Sequence, residues 1–146
     1  MKQNDKTKEE VLALLVWFRL SRTYHQSLKR SNTFLKKWGL TVAQFDVLVQ
    51  VGTHKRLSQL DLANTLLVTK GNITKLLTKM EENGWILREK EKKSKYLSLA
   101  PKGQDLYNEI VPQQEQHQAA YFDRLDGEEL KQLHELLKKV GEPQET

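Results

Sequence analysis

Four places in this chain repeat one short pattern, and together they restrict the fold more than any other feature. Each has an apolar residue, then a hydroxyl or carboxylate side chain, then a polar residue three positions on, followed directly by another apolar residue. This is the order of an N-cap inside a hydrophobic staple. The cap oxygen takes an orphan N–H of the first turn, and the flanking apolar pair fixes the angle of entry. Leu40-Thr41 with Gln44-Phe45, Leu57-Ser58 with Asp61-Leu62, Val68-Thr69 with Asn72-Ile73, and Leu125-Asp126 with Glu129-Leu130 all fit. Helices are therefore expected over about 41–51, 58–66, 70–82 and 126–140.

Two more helices follow from periodicity. The first starts near residue 8 and runs to about 29 or somewhat beyond. Its apolar stripe of Val11, Leu14, Leu15, Trp17, Phe18, His25 and Leu28 is broad and needs substantial cover. The other opens at Pro101, where a first helical residue tolerates proline, and is expected to be interrupted and kinked at Pro112. The helix at 126–140 turns Leu130, Leu133, Leu136, Leu137 and Val140 inward, and the tail GEPQET reads as frayed. Asn83-Gly84 ends the helix at 70–82, with Gly84 in the left-handed position. After it the period shortens, so WILREK and KYLSL read as two strands around the basic tip EKEKKSK, with Leu97 and Leu99 on one face. The result is a mainly α protein with a small β-hairpin wing. Two short helices joined by the tight turn LLVTK precede the hairpin, which is winged helix-turn-helix order.

The helix at 70–82 has an unusual wet side. Ile73, Leu76, Leu77 and Met80 form its apolar side, and Gly71, Asn72, Thr74, Lys75, Thr78 and Lys79 face out. No Asp or Glu occurs from Leu62 to Met80. Short polar side chains reach base edges, lysines meet phosphate, and a carboxylate would repel it. Thr69 and Gly71 let the helix start approach a phosphate closely, and Lys70 between them is a further candidate contact. The charge distribution agrees. Residues 54–102 carry eleven Lys/Arg against five Asp/Glu, whereas residues 103–146 carry four against ten. The partner expected from these features is double-stranded DNA. The hairpin adds Arg88, Lys90, Lys92, Lys93 and Lys95 as backbone or minor-groove contacts, although Arg88 is also suited to bracing the wing or lobe.

These residues resemble the MarR family of bacterial transcription regulators over about 12–140. The resemblance rests on Leu40-Thr41 with Gln44-Phe45, Leu57-Ser58, Leu62-Ala63, the Val68-Thr69-Lys70 turn, Glu81 with Gly84, and Leu99 with Gly103. It implies a homodimer in which residues 8–38 and 101–140 form a helical dimerisation region and residues 39–100 a winged helix-turn-helix DNA-binding lobe. It also implies pseudo-palindromic operators, repression, and release by a small aromatic or amphipathic effector. Trp17, Tyr24, His25 and Phe45 are the candidate effector-pocket residues, with core packing as the plainer reading of such aromatics. Two departures stand out. The family's wing carries an Asp-Arg-Arg type motif, where this chain has Glu91-Lys92-Lys93, and Ala100 replaces the usual capping threonine.

Other classes find little support. No stretch approaches the roughly 20 apolar residues of a bilayer span, and RLSRTYHQ after the apolar run does not resemble a leader cleavage site. A cytoplasmic protein is expected. Zero cysteines exclude thiolate metal sites, and His25, His54, His117 and His134 lack metal-ligand spacing, so no metal or cofactor is expected. His117 beside Glu115 is the nearest approach to such a site. No catalytic constellation appears, and the protein is read as no enzyme. The alternative is a winged-helix protein-interaction module with only residual DNA binding.

Overall fold

The computed structural model describes residues 5–66 and 68–142, apart from the side chain of Lys70. Leu67 in the LLVTK turn and the end of the GEPQET tail lie outside the described residues. The elements run α1 (Lys8–Leu35), a 3-10 turn (Lys36–Trp38), α2 (Val42–His54), β1 (Leu57–Ser58), α3 (Gln59–Leu66), α4 (Lys70–Glu82), β2 (Ile86–Glu91), β3 (Ser94–Leu99), α5 (Pro101–Ala119), a 3-10 turn (Ala120–Phe122) and α6 (Gly127–Gly141).

All four caps form. The Thr41 hydroxyl accepts from the Gln44 amide at 3.2 Å while the Gln44 side chain accepts from the Thr41 amide at 3.0 Å. Asp126 and Glu129 repeat that reciprocal box at 2.8 and 3.1 Å. Ser58 accepts from Asp61 at 3.0 Å and Thr69 from Asn72 at 3.2 Å. At the far end of α4, Gly84 takes φ +78°. Its amide donates to the Glu81 carbonyl and that of Trp85 to Met80, both at 3.0 Å, a Schellman closure.

α2, α3, α4 and the sheet enclose one core of Val47, Leu48, Val51, Leu62, Ile73, Leu77, Met80, Ile86 and Leu97, closed by Leu35 of α1 and Ile110 of α5. The sheet has three strands in the order β1-β3-β2 rather than the two expected. Leu57 pairs with Leu97 and Ser58 with Tyr96. The extended backbone that suits Ser58 to capping also lets it pair with a strand, so two residues serve both purposes. The hairpin is tighter than expected. Glu91 pairs with Ser94, leaving Lys92 (φ +56°) and Lys93 as its turn. The expected interruption at Pro112 is absent, because α5 continues through it. Pro112 and Asn108, whose carbonyl loses its helical donor, are both exposed, so water can replace the missing bond.

The α6 stripe, expected to turn inward, does not do so within a single chain, and the broad α1 stripe is left open as well. Leu130, Leu136, Leu137 and Val140 are exposed, Val140 at 80%, and only Leu133 is half-buried. Val11, Leu12, Leu14, Leu15, Val16, Trp17 and Phe18 are each 44% exposed or more. The lobe core is complete without them, and among the described residues these side chains stay largely open to solvent.

Candidate nucleic-acid interface

The four-residue spacing of Ile73, Leu77 and the nearby Met80 anchors α4, and each is essentially fully buried. This turns Gly71, Asn72, Thr74, Lys75, Thr78 and Lys79 to solvent, and all six are exposed. Thr69 sits exposed at the cap. Lys75 and Lys79 form no ion pair among the described residues. The Lys70 side chain lies outside the described residues. Two of the threonines already have work within the lobe. The Gln59 amide donates to the Thr74 hydroxyl at 3.2 Å, and the Thr78 hydroxyl donates to the Thr74 carbonyl at 2.9 Å.

Arg88 is committed elsewhere. Its guanidinium donates to the Thr78 hydroxyl at 3.1 Å and to Glu81 at 3.2 Å, and its side chain is only 16% exposed. β2 leaves α4 immediately after the turn at Gly84, so an inward-facing residue on this strand falls against the last turns of the helix. Arg88 therefore braces the wing on α4 rather than projecting with the other cations. Lys90, Lys92, Lys93 and Lys95 are exposed. Lys93, Ser94 and Lys95 share a cavity of about 360 Å³ with Ser58, Gln59 and Thr74. The wing tip and the polar face of α4 thus border one surface.

Sequence reasoning missed Arg56. It pairs with Glu91 at the wing, and its guanidinium lies 3.8 Å from the centre of the Tyr96 ring. The one available signal was a wing acid, Glu91, with no arginine beside it.

The four candidate effector residues do not converge. Phe45 is 7% exposed in the lobe core, as the staple of α2 requires. Tyr24 lines an apolar groove of about 580 Å³ together with Leu15, Leu20, Tyr121, Leu133 and Leu137. Trp17 and His25 do not line it, and Trp17 is 66% exposed.

A basic cavity of about 460 Å³ between α1 and α5 went unforeseen, lined by Lys29, Arg30, Thr33, Phe34, Lys37 and His117. His117 stacks on Phe34 at 4.3 Å, and Lys37 lies 4.6 Å over the same ring. Desolvation holds the His117 imidazole below its ordinary pKa, and Arg30 and Lys37 add to the effect. A lowered folded pKa means that, below about pH 6.5, the unfolded chain takes up a proton the folded chain refuses. Stability is then lost as pH falls from there through the folded value. His117→Phe keeps a ring on Phe34 and removes the titration. Its thermal midpoint is expected to fall less than the wild type's between pH 7.5 and 5.5, and parallel curves would contradict this.

Among the described residues no helix is long and apolar enough to cross a membrane. The model of the MarR family matches residues 40–95. An uncharacterized HTH-type transcriptional regulator of Bacillus cereus is 41% identical over 134 residues, covering 91% of this chain and 91% of its own. Sco3205, a MarR family transcriptional regulator from Streptomyces coelicolor solved in complex with DNA, superposes with a TM-score of 0.80 at 24% identity, covering 95% of this chain and 89% of its own. NadR in complex with 4-hydroxyphenylacetate superposes with a TM-score of 0.72 at 20% identity, covering 99% of each chain.

Proposed function

The chain belongs to the MarR family of winged helix-turn-helix transcription regulators, which are not enzymes, and from that premise we propose that it is a homodimeric repressor of pseudo-palindromic operators, acting in the cytoplasm. The exposed face of α4 from Gly71 to Lys79, which carries no acid, supports this reading. Thr69, Lys70, Gly71, Asn72 and Lys75 meet the major groove, with Thr74, Thr78 and Lys79 beside them. Lys90, Lys92, Lys93 and Lys95 grip flanking backbone. Residues 39–100 form the DNA-binding lobe, and residues 8–38 and 101–140 dimerise through the uncovered stripes of α1 and α6.

Anisotropy with duplex DNA selected from a random pool tests this between 50 and 200 mM salt. A dimer making 6–10 phosphate contacts loses about 10³–10⁵ in affinity over that range. No binding at 50 mM salt would favour the interaction-module reading instead. Within the dimer, Lys75→Ala is expected to cost about 1–3 kcal/mol of binding while leaving the thermal midpoint unchanged. Undiminished affinity would remove α4 from the groove.

We further propose release by a small effector. The basic α1–α5 cavity suits a planar anion, because Phe34 and His117 offer ring faces and Lys29, Arg30 and Lys37 offer charge without a neighbouring acid in the lining. 4-Hydroxyphenylacetate, the partner in the NadR complex, has that chemistry. Calorimetry with it would show binding lost in Lys37→Ala, and heat unchanged by that substitution would exclude the cavity.

A further inference from the structure

The described residues contain two ion pairs, and both involve the wing. They grip it from opposite sides. Along β2 side chains alternate, so Arg88 faces α4 and Glu91 the outer face of the sheet. Arg88 ties the first side to Glu81. On the outer side Arg56 reaches across from the corner between α2 and β1, places its guanidinium carbon over the Tyr96 ring and meets Glu91 beside the Lys92-Lys93 turn.

The corner that supplies Arg56 is strained. Lys55 takes φ +62° and ψ −45°, which a lysine rarely adopts. The Arg56 amide donates to the His54 carbonyl at 2.6 Å, closing a three-residue γ-turn of the strained hand. Such backbone persists where surrounding contacts over-determine it. Here they are the end of α2 on one side and the pairing of Leu57 and Ser58 with β3 on the other. The turn delivers Arg56 to the outer face of the same strand that β1 has just joined.

We propose that Arg56 is a positioning residue for DNA binding, clamping the wing through Glu91 and Tyr96 so that the tip lysines meet the backbone at a fixed height. This rests on the reading that the wing touches DNA. An acid beside the tip lysines would otherwise oppose binding. Paired with Arg56, Glu91 becomes an anchor. A planar guanidinium suits both tasks, stacking on the ring while donating to a carboxylate, which a lysine cannot match.

The test turns on a sign. Glu91→Gln removes a negative charge close to the tip, so charge alone predicts tighter binding. The clamp predicts weaker binding, by roughly three- to tenfold, the scale of a partly exposed ion pair with a stacked guanidinium. Duplex DNA selected from a random pool by the wild-type chain is titrated by anisotropy with Glu91→Gln, Arg56→Gln and the double variant. Support is a loss in each single variant, a double variant no worse than the weaker single, and thermal midpoints unchanged throughout. Tighter or equal binding by Glu91→Gln overturns the clamp, as does a loss confined to Arg56→Gln with a shallower salt slope, which would make Arg56 a direct phosphate contact. Lys92→Gln with Lys93→Gln separates the two levels. If that pair weakens binding while Glu91→Gln does not, only the clamp fails. If that pair is also inert, the wing contact itself is wrong and the clamp falls with it.

Discussion

Leu15→Glu combined with Leu137→Glu is expected to leave a helical monomer that binds operator DNA about 10²–10⁴-fold more weakly than the wild type, the scale of lost bivalency. Both leucines line the apolar groove between α1 and α6, and in one chain they are 56% and 43% exposed. Monomeric soluble proteins rarely leave an apolar patch of that extent uncovered. In a dimer two carboxylates from each protomer would be buried there without partners, a cost association cannot offset. Neither leucine belongs to the lobe core, so the lobe should still fold. Light scattering would report mass, circular dichroism helicity and anisotropy affinity. A double variant that stays dimeric, or a monomer that binds as tightly as the wild type, would refute the bivalent picture.

Gly103→Ala is expected to cost about 3 kcal/mol of stability, the upper end of ordinary overpacking, and to lower the thermal midpoint by about 10 °C. Gly103 is buried at the start of α5, and a β-carbon there would fall on the Trp85 carbonyl. That oxygen already accepts the Ala100 amide at 3.0 Å. It cannot retreat easily, because the amide of the same residue closes the end of α4 on Met80. α4, the wing and α5 therefore meet at one backbone crossing, which explains a glycine four residues after Leu99. A variant melting with the wild type would show that this crossing has slack.

Much of the fold was legible because it is encoded locally. A helix start needs a cap, a partner three residues on and a staple, all within six residues, and the bounds of α4 and the turn at Gly84 follow from such short-range rules. Contacts that join distant segments were not legible. β1 has two residues and no periodicity, and it exists only because β3 lies beside it. Arg56 and Glu91 are separated by 35 positions. The aromatics misled in another way. Phe45 and Trp17 look alike as members of apolar stripes, yet one is core and the other open, because residue type does not reveal which side of a helix has a neighbour within the same chain. The α4 face was legible because its signal is an absence, and a missing charge shows in sequence as plainly as in structure.

That absence also limits how such a regulator can be controlled. From Leu62 to Met80 there is no histidine, the side chain whose ordinary pKa lies in the physiological range, and no carboxylate either. On the proposed reading, the α4 face therefore works as a stamp with fixed relief. In the proposed dimer, what a signal can change is how far apart two stamps are held and at what tilt. Control on that reading is mechanical, exerted through the helices that would join the lobes, while the lettering stays the same.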